Sequence, residues 1–112
     1  MSSVLNTEIL DQLREILGED FGLIIDSFHQ EGGNLISNMQ AASTSGDFQQ
    51  MKEAAHSMKS MSGNVGAMEL SGLSDQLQIA SANEDQAKVD ELWPLVKSQY
   101  DSAVIELSQL SS

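Results

Sequence analysis

The chain has no cysteine, a single proline, few aromatic residues and few cations, and each scarcity removes a class of function. Without cysteine there is no disulfide, no thiolate metal site and no cysteine nucleophile, and nothing asks for an oxidising compartment. The cytoplasm is the expected location. Five basic residues against 17 acidic ones leave a net charge of −12. No phosphate-neutralising patch can be assembled from them, so nucleic acid and anionic membranes are repelled and a protein partner is expected. No segment approaches the ~18 apolar residues that would span a bilayer, and Met1-Ser2-Ser3-Val4-Leu5-Asn6 has neither a basic start nor a long apolar run. At 112 residues the chain has the size of one domain, spanning 1–112 and able to bury roughly two-thirds of its unfolded surface. The initiating Met and ordinary ends favour a free-standing protein, expected to be monomeric.

What is present is helical periodicity. Aromatics are only 4% of residues, while apolar residues recur at spacings of three and four almost throughout. Asn6 is the expected N-cap of a short first helix over about 6–17, with Leu5 and Leu10 as a hydrophobic staple and Gly18 as its stop. A second helix begins near Asp20, with an inward stripe of Phe21, Ile24, Ile25, Phe28, Leu35, Met39 and Ala42, and ends at Ser43-Thr44-Ser45-Gly46. Gly32-Gly33 should weaken its middle by up to ~1 kcal/mol per glycine relative to alanine. Asp47 caps a third helix whose buried stripe reads Phe48, Met51, Ala55, Met58, Ser62, Val65. Gly66 punctuates it, and a fourth helix from about Ala67 turns Leu70, Leu73, Leu77 and Ala80 inward. The last helix runs from about Asp85 to Leu110 on Val89, Leu92, Val96, Tyr100, Ala103 and Leu107, with Pro94 expected to kink it near Trp93. Four long amphipathic helices joined by short loops predict an all-α fold: an antiparallel up-down-up-down four-helix bundle, with the short first helix as a cap across one end.

One of the two histidines lies on the third helix, in a stretch from Ala54 to Met68 whose only charged residue is Lys59. At 100° per residue, His56 falls about 130° from the centre of the buried stripe, on the solvent side. Ser60 and Gly63 share that side, and Lys52 and Lys59 lie between it and the stripe, at i−4 and i+3 from the histidine. This arrangement suits an imidazole that carries a phosphoryl group. An imidazole ring nitrogen is nucleophilic near neutral pH. An ammonium a few ångströms from a phosphoryl oxygen contributes on the order of 1–4 kcal/mol at surface-like dielectric, and small neighbours leave the approach open to another protein.

The string Ala55-His56-Ser57-Met58-Lys59-Ser60-Met61-Ser62-Gly63-Asn64-Val65-Gly66-Ala67 resembles the signature of histidine-containing phosphotransfer (HPt) domains, A-H-x-(hydrophobic)-K-G-(small)-(small)-x-x-(hydrophobic)-G-(A or L). The likeness extends over nearly the whole chain, since that family is a helical bundle of this size and helix order. It implies that His56 accepts and donates the phosphoryl group through Nε2, that Lys59 lies on the phosphate side, and that Gly66 is the glycine ending the motif. It also implies that Gln78 in the fourth helix orients the imidazole. Ser60 stands where the family usually has glycine, and its hydroxymethyl group narrows the approach to His56. Lys52, Ser60, Met61, Gly63 and Gly66 are the expected partner-facing positions. The resemblance further implies receiver domains of response regulators and a hybrid sensor histidine kinase as partners. It implies no cofactor on this chain, Mg²⁺ being carried by the receiver, and a phosphotransfer intermediate rather than an enzyme, consistent with the lack of a Gly-rich phosphate loop.

Other readings of the same residues are weaker. Glu53-Ala54-Ala55-His56 and Asp26-Ser27-Phe28-His29 look like the two halves of a di-iron site in a helical bundle. Helical geometry points neither pair inward, so no metal site is expected and His29 reads as solvated. An acidic, non-catalytic adaptor bundle is the alternative function. An acyl carrier would need an attachment serine in an Asp-Ser-Leu context, which Leu73-Ser74-Asp75 does not supply.

Overall fold

The structure is a computed structural model that describes residues 5–111; Met1 to Val4, part of the stretch read above for a leader-like pattern, and Ser112 lie outside the described residues. Five α-helices follow in order: α1 (Thr7–Leu17), α2 (Phe21–Ser45), α3 (Phe48–Asn64), α4 (Met68–Ala82) and α5 (Gln86–Ser111), with a 3₁₀ turn over Gly18–Asp20. α2 packs on α3, α3 on α4, α4 on α5, and α5 closes back on α2. With loops this short, the ring of contacts is the expected antiparallel four-helix bundle. α1 lies across the end where α2 starts and α3 ends.

Local chemistry sets the boundaries. Asn6 caps α1 by accepting from the amides of Glu8 and Ile9, and Leu5 and Leu10 are both buried beside it. The Asp47 carboxylate accepts from the Gln50 amide at 3.0 Å, and Asp85 accepts from Lys88 at the start of α5. α3 ends in a left-handed turn: Ala67 N–H donates to the Ser62 carbonyl and Gly66 N–H to the Gly63 carbonyl, with Gly66 at φ 77°. The Asn6 amide then donates to the Gly66 carbonyl at 2.7 Å. A Cβ at position 66 would lie 3.1 Å from the Asn6 carbonyl oxygen. Gly66 is thus required both by its backbone angle and by the strap that α1 lays over it. Pro94 lies inside α5, which continues as one helix through it.

The core follows a seven-residue seam more strictly than hydrophobicity suggests. On α2 the buried positions are Phe21, Ile25, Phe28, Gly32, Ile36, Met39 and Ala42. Ile24 and Leu35 fall on the flank of that seam, so the stripe expected through them is corrected to Gly32 and Ile36. On α4, Ser74 and Ser81 are buried with Leu70 and Leu77, while Leu73 is only partly buried at the edge of the core. Small side chains here and on α3 (Ala54, Ala55 and Ser62) let the two helices approach closely.

The paired glycines of α2 do not fray it, because a tyrosine fills the space. The Tyr100 ring from α5 packs where a Gly32 side chain would be, and a Cβ there would run into the ring. The Tyr100 hydroxyl donates to the His29 carbonyl at 2.8 Å, and its ring lies 5.4 Å from that of Phe28. Burial, and secondarily the Asp101 carboxylate, push the phenol up to about 12.

Two outcomes follow from this contact. Gly32→Ala should lower stability by about 1–3 kcal/mol through overpacking, although helix propensity alone would favour alanine by up to ~1 kcal/mol; thermal unfolding reads the sign. Because the folded phenol titrates above its ordinary range, its contribution is complete below pH 10 and is lost as pH rises through about 12. Denaturant unfolding across pH 9–12 should show that alkaline decline, reduced in Tyr100→Phe.

Candidate functional site

The packing of α3 fixes where its polar residues point. Ala55 and Met58 are fully buried, and His56, one residue after Ala55, is carried out to solvent. It stands on the rim of a groove of about 650 Å³ between α2 and α3. From α3, Ser57, Ser60, Met61 and Asn64 continue the wall that His56 begins, and α2 supplies Ile24, Ser27, Glu31, Asn34 and Leu35 opposite. Phe28 and Val65, both buried core residues, reach its floor. The groove is therefore apolar at its base and polar at its rim, with Glu31 as the one carboxylate among its lining residues. Next to Ile24, Leu23 is 66% exposed.

The expected site residues divide among three surroundings. Ser60 and Met61 line the groove with His56. Gly63 instead faces α4, where a Cβ would make ordinary contact with Ser71 Oγ at 3.7 Å, and Lys52 lines a separate hollow with Ser81 and Glu84 near the other end of α3. Gly66 is buried beneath Asn6, so its expected partner-facing place is corrected: its part is to turn the chain and seat α1. Lys59 leans towards α4, where its ammonium meets Asp75 Oδ1 at 3.0 Å and its carbonyl accepts from Ser71 Oγ at 2.9 Å. Lys52 makes no ion pair or hydrogen bond among the described residues.

Gln78 is half-buried on α4, three residues beyond Asp75. The antiparallel pairing of Ser71 and Asp75 with Lys59 brings it level with the turn that bears His56. The imidazole itself makes no hydrogen bond among the described residues. Glu53, Asp26 and His29 are exposed, and no group of three His, Asp or Glu that could hold a metal occurs among the described residues.

Docking on the second and third helices around His56, on an apolar patch with a polar rim, is what the sequence leads one to expect, but residues read singly do not show which positions of α2 form the wall. Ile24 and Leu35 read as core because they are apolar, and Ser27, Glu31 and Asn34 carry no signal except a spacing of three to four along one flank. Asp75 carried none at all, since only the pairing of α3 with α4 brings it to Lys59.

Comparison with known proteins adds to this geometry. Residues 23–110 match the family model of the Hpt domain. The fold is shared with the crystal structure of histidine-containing phosphotransfer protein B (HptB) from Pseudomonas aeruginosa PAO1, at a TM-score of 0.91 and 23% identity, over 97% of this chain and 95% of that one. At that identity the likeness speaks for the fold. No curated protein matches the chain. No helix among the described residues is long and apolar enough to cross a membrane. With the family match running through α3 and its exposed histidine, the chain belongs to the Hpt domain family, whose role is histidine phosphotransfer in phosphorelay signalling.

Proposed function

We propose that His56 is the residue that carries the phosphoryl group, passing it between receiver-domain aspartates. The observation that supports this most is the exposed imidazole on the rim of an apolar-floored groove, in the register of the family motif. In the forward step the Nε2 lone pair attacks the phosphorus of a receiver aspartyl phosphate. The P–N bond forms as the P–O bond breaks, the aspartate leaves as a carboxylate, and the ring can shed its Nδ1 proton to solvent. The reverse step regenerates an aspartyl phosphate on the next receiver.

Lys59 offers the phosphoryl oxygens a cation one turn from the ring, and the half-buried Lys52 offers another on the preceding turn. Gln78 orients the imidazole from α4. Ser60 trims the space beside the ring, which restricts the shapes that can approach it. A receiver, and the hybrid kinase that carries one, docks on α2 and α3 with an apolar projection over Phe28 and polar contacts at the rim. The chain is a carrier and not an enzyme: it brings no cofactor, and the receiver brings Mg²⁺. It acts as a cytoplasmic monomer.

Incubation with a receiver domain phosphorylated on its aspartate tests the reading. Label should pass to the wild type and to His29→Ala, be absent from His56→Ala, survive base and be lost in mild acid. Lys59→Ala should slow transfer roughly tenfold. Transfer from none of the source organism's receivers would leave the adaptor reading instead. Docking is tested separately with Ile24→Asp, which should raise the receiver concentration for half-maximal transfer by about tenfold. Its labelling by the small donor phosphoramidate, which needs no docking surface, should match the wild type.

A further inference from the structure

The structure gives Lys59 a competitor for any phosphoryl group on His56. Of the three lysine ion pairs among the described residues, Lys88–Glu91 and Lys97–Asp101 lie along a single helix, whereas Lys59–Asp75 joins α3 to α4 at 3.0 Å. Ser71, one turn before Asp75, donates to the Lys59 carbonyl, so α4 grips the same residue by backbone and by side chain. The ammonium is thereby held on the α4 side of His56, and Lys59 is not among the residues lining the groove.

Resting on the assignment of His56 as the phosphoryl carrier, we infer that Asp75 is a positioning residue that competes with the phosphoryl group for Lys59 and so sets how readily His56 gives that group up. The two side chains of the bridge are 45% and 42% exposed. An ion pair that open to water contributes little net stability, so a phosphoryl group on the neighbouring turn can draw the ammonium away. His56 and Lys59, at i and i+3, are surface neighbours about 5–6 Å apart at Cβ, within reach of a lysine side chain. When Lys59 turns to the phosphoryl oxygens, Asp75 loses its partner and its carboxylate faces a like charge. Both effects raise the phosphorylated state relative to the free imidazole. A relay carrier benefits from that balance, because a phosphoryl group held too firmly would not move on to the next aspartate. The other α4 groups on this edge, Ser71 and Gln78, are uncharged, so Asp75 is the one carboxylate that α4 presents to Lys59.

The test uses phosphoramidate and ammonium at a fixed ratio, in a His29→Ala background so that His56 alone is read. The phosphoryl group moves from the amide nitrogen to Nε2 and ammonia leaves; ³¹P NMR gives the ratio of phosphorylated to free His56. Asp75→Asn should raise that ratio about two- to fivefold, the range of an exposed ion pair, and Asp75→Glu should stay close to wild type. In a Lys59→Ala background Asp75→Asn should raise the ratio by clearly less, because no ammonium is left to release and only the like-charge repulsion is removed. Thermal unfolding of Asp75→Asn should match the wild type, as a merely structural brace would not. An unchanged ratio in Asp75→Asn, or a full shift that persists without Lys59, overturns the inference while labelling from receivers still stands. Failure of receivers to label the wild type overturns the carrier assignment itself and this inference with it.

Discussion

The rotational setting of α3 about its own axis is the constraint on which the rest of the molecule depends. Met51, Ala54, Ala55, Met58 and Ser62 face inward, and once they do, an imidazole at position 56 has nowhere to go but out. A slip of one residue in that seam would turn His56 inward and carry Ala55 out of the core. The small side chains at 54, 55 and 62 add a second effect. They let α4 approach closely, and that approach is what brings Asp75 and Ser71 to Lys59.

Much of this was legible in the residues themselves. The helix count, the caps at Asn6 and Asp47, the break at Gly46 and the outward angle of His56 all depend on local periodicity and local hydrogen bonds, which a linear string records. The errors share one origin. Leu35 and Leu73 are apolar and read as core, yet they pack only at its edge, and the seam runs through Gly32, Ile36 and Ser74. At Gly32 and Ser74 the bundle needs little volume, because Tyr100 or a neighbouring helix already fills the space. Hydrophobicity reports what a residue could bury, whereas the available room is decided by the partner helix. Gly66 shows the same limit. Its motif position is visible in sequence, but its contact with Asn6 lies some 60 residues away along the chain.

The site combines two kinds of surface with different physical tasks. The groove over Phe28 and Val65 offers area that water leaves readily, suited to holding another protein, and the edge towards α4 offers charge. On the proposed reading, such a division would separate the energetics of docking from those of phosphoryl transfer, because α2 completes the groove side of His56 and α4 the charged side. The strong negative charge of the whole chain leaves Lys52 and Lys59 as local exceptions one turn to either side of the histidine, so any favourable field for a phosphoryl group there is short in range.

Tyr100 does not line the groove beside His56, yet it holds the helix that forms the opposite wall. It grips α2 from behind through the Gly32 notch and the His29 carbonyl, next to Phe28 at the groove floor. The α2 wall of the groove is therefore braced from within the bundle. For the proposed docking, such bracing would leave little conformational entropy to surrender on association, and selectivity would rest on how well a partner's shape fits that wall.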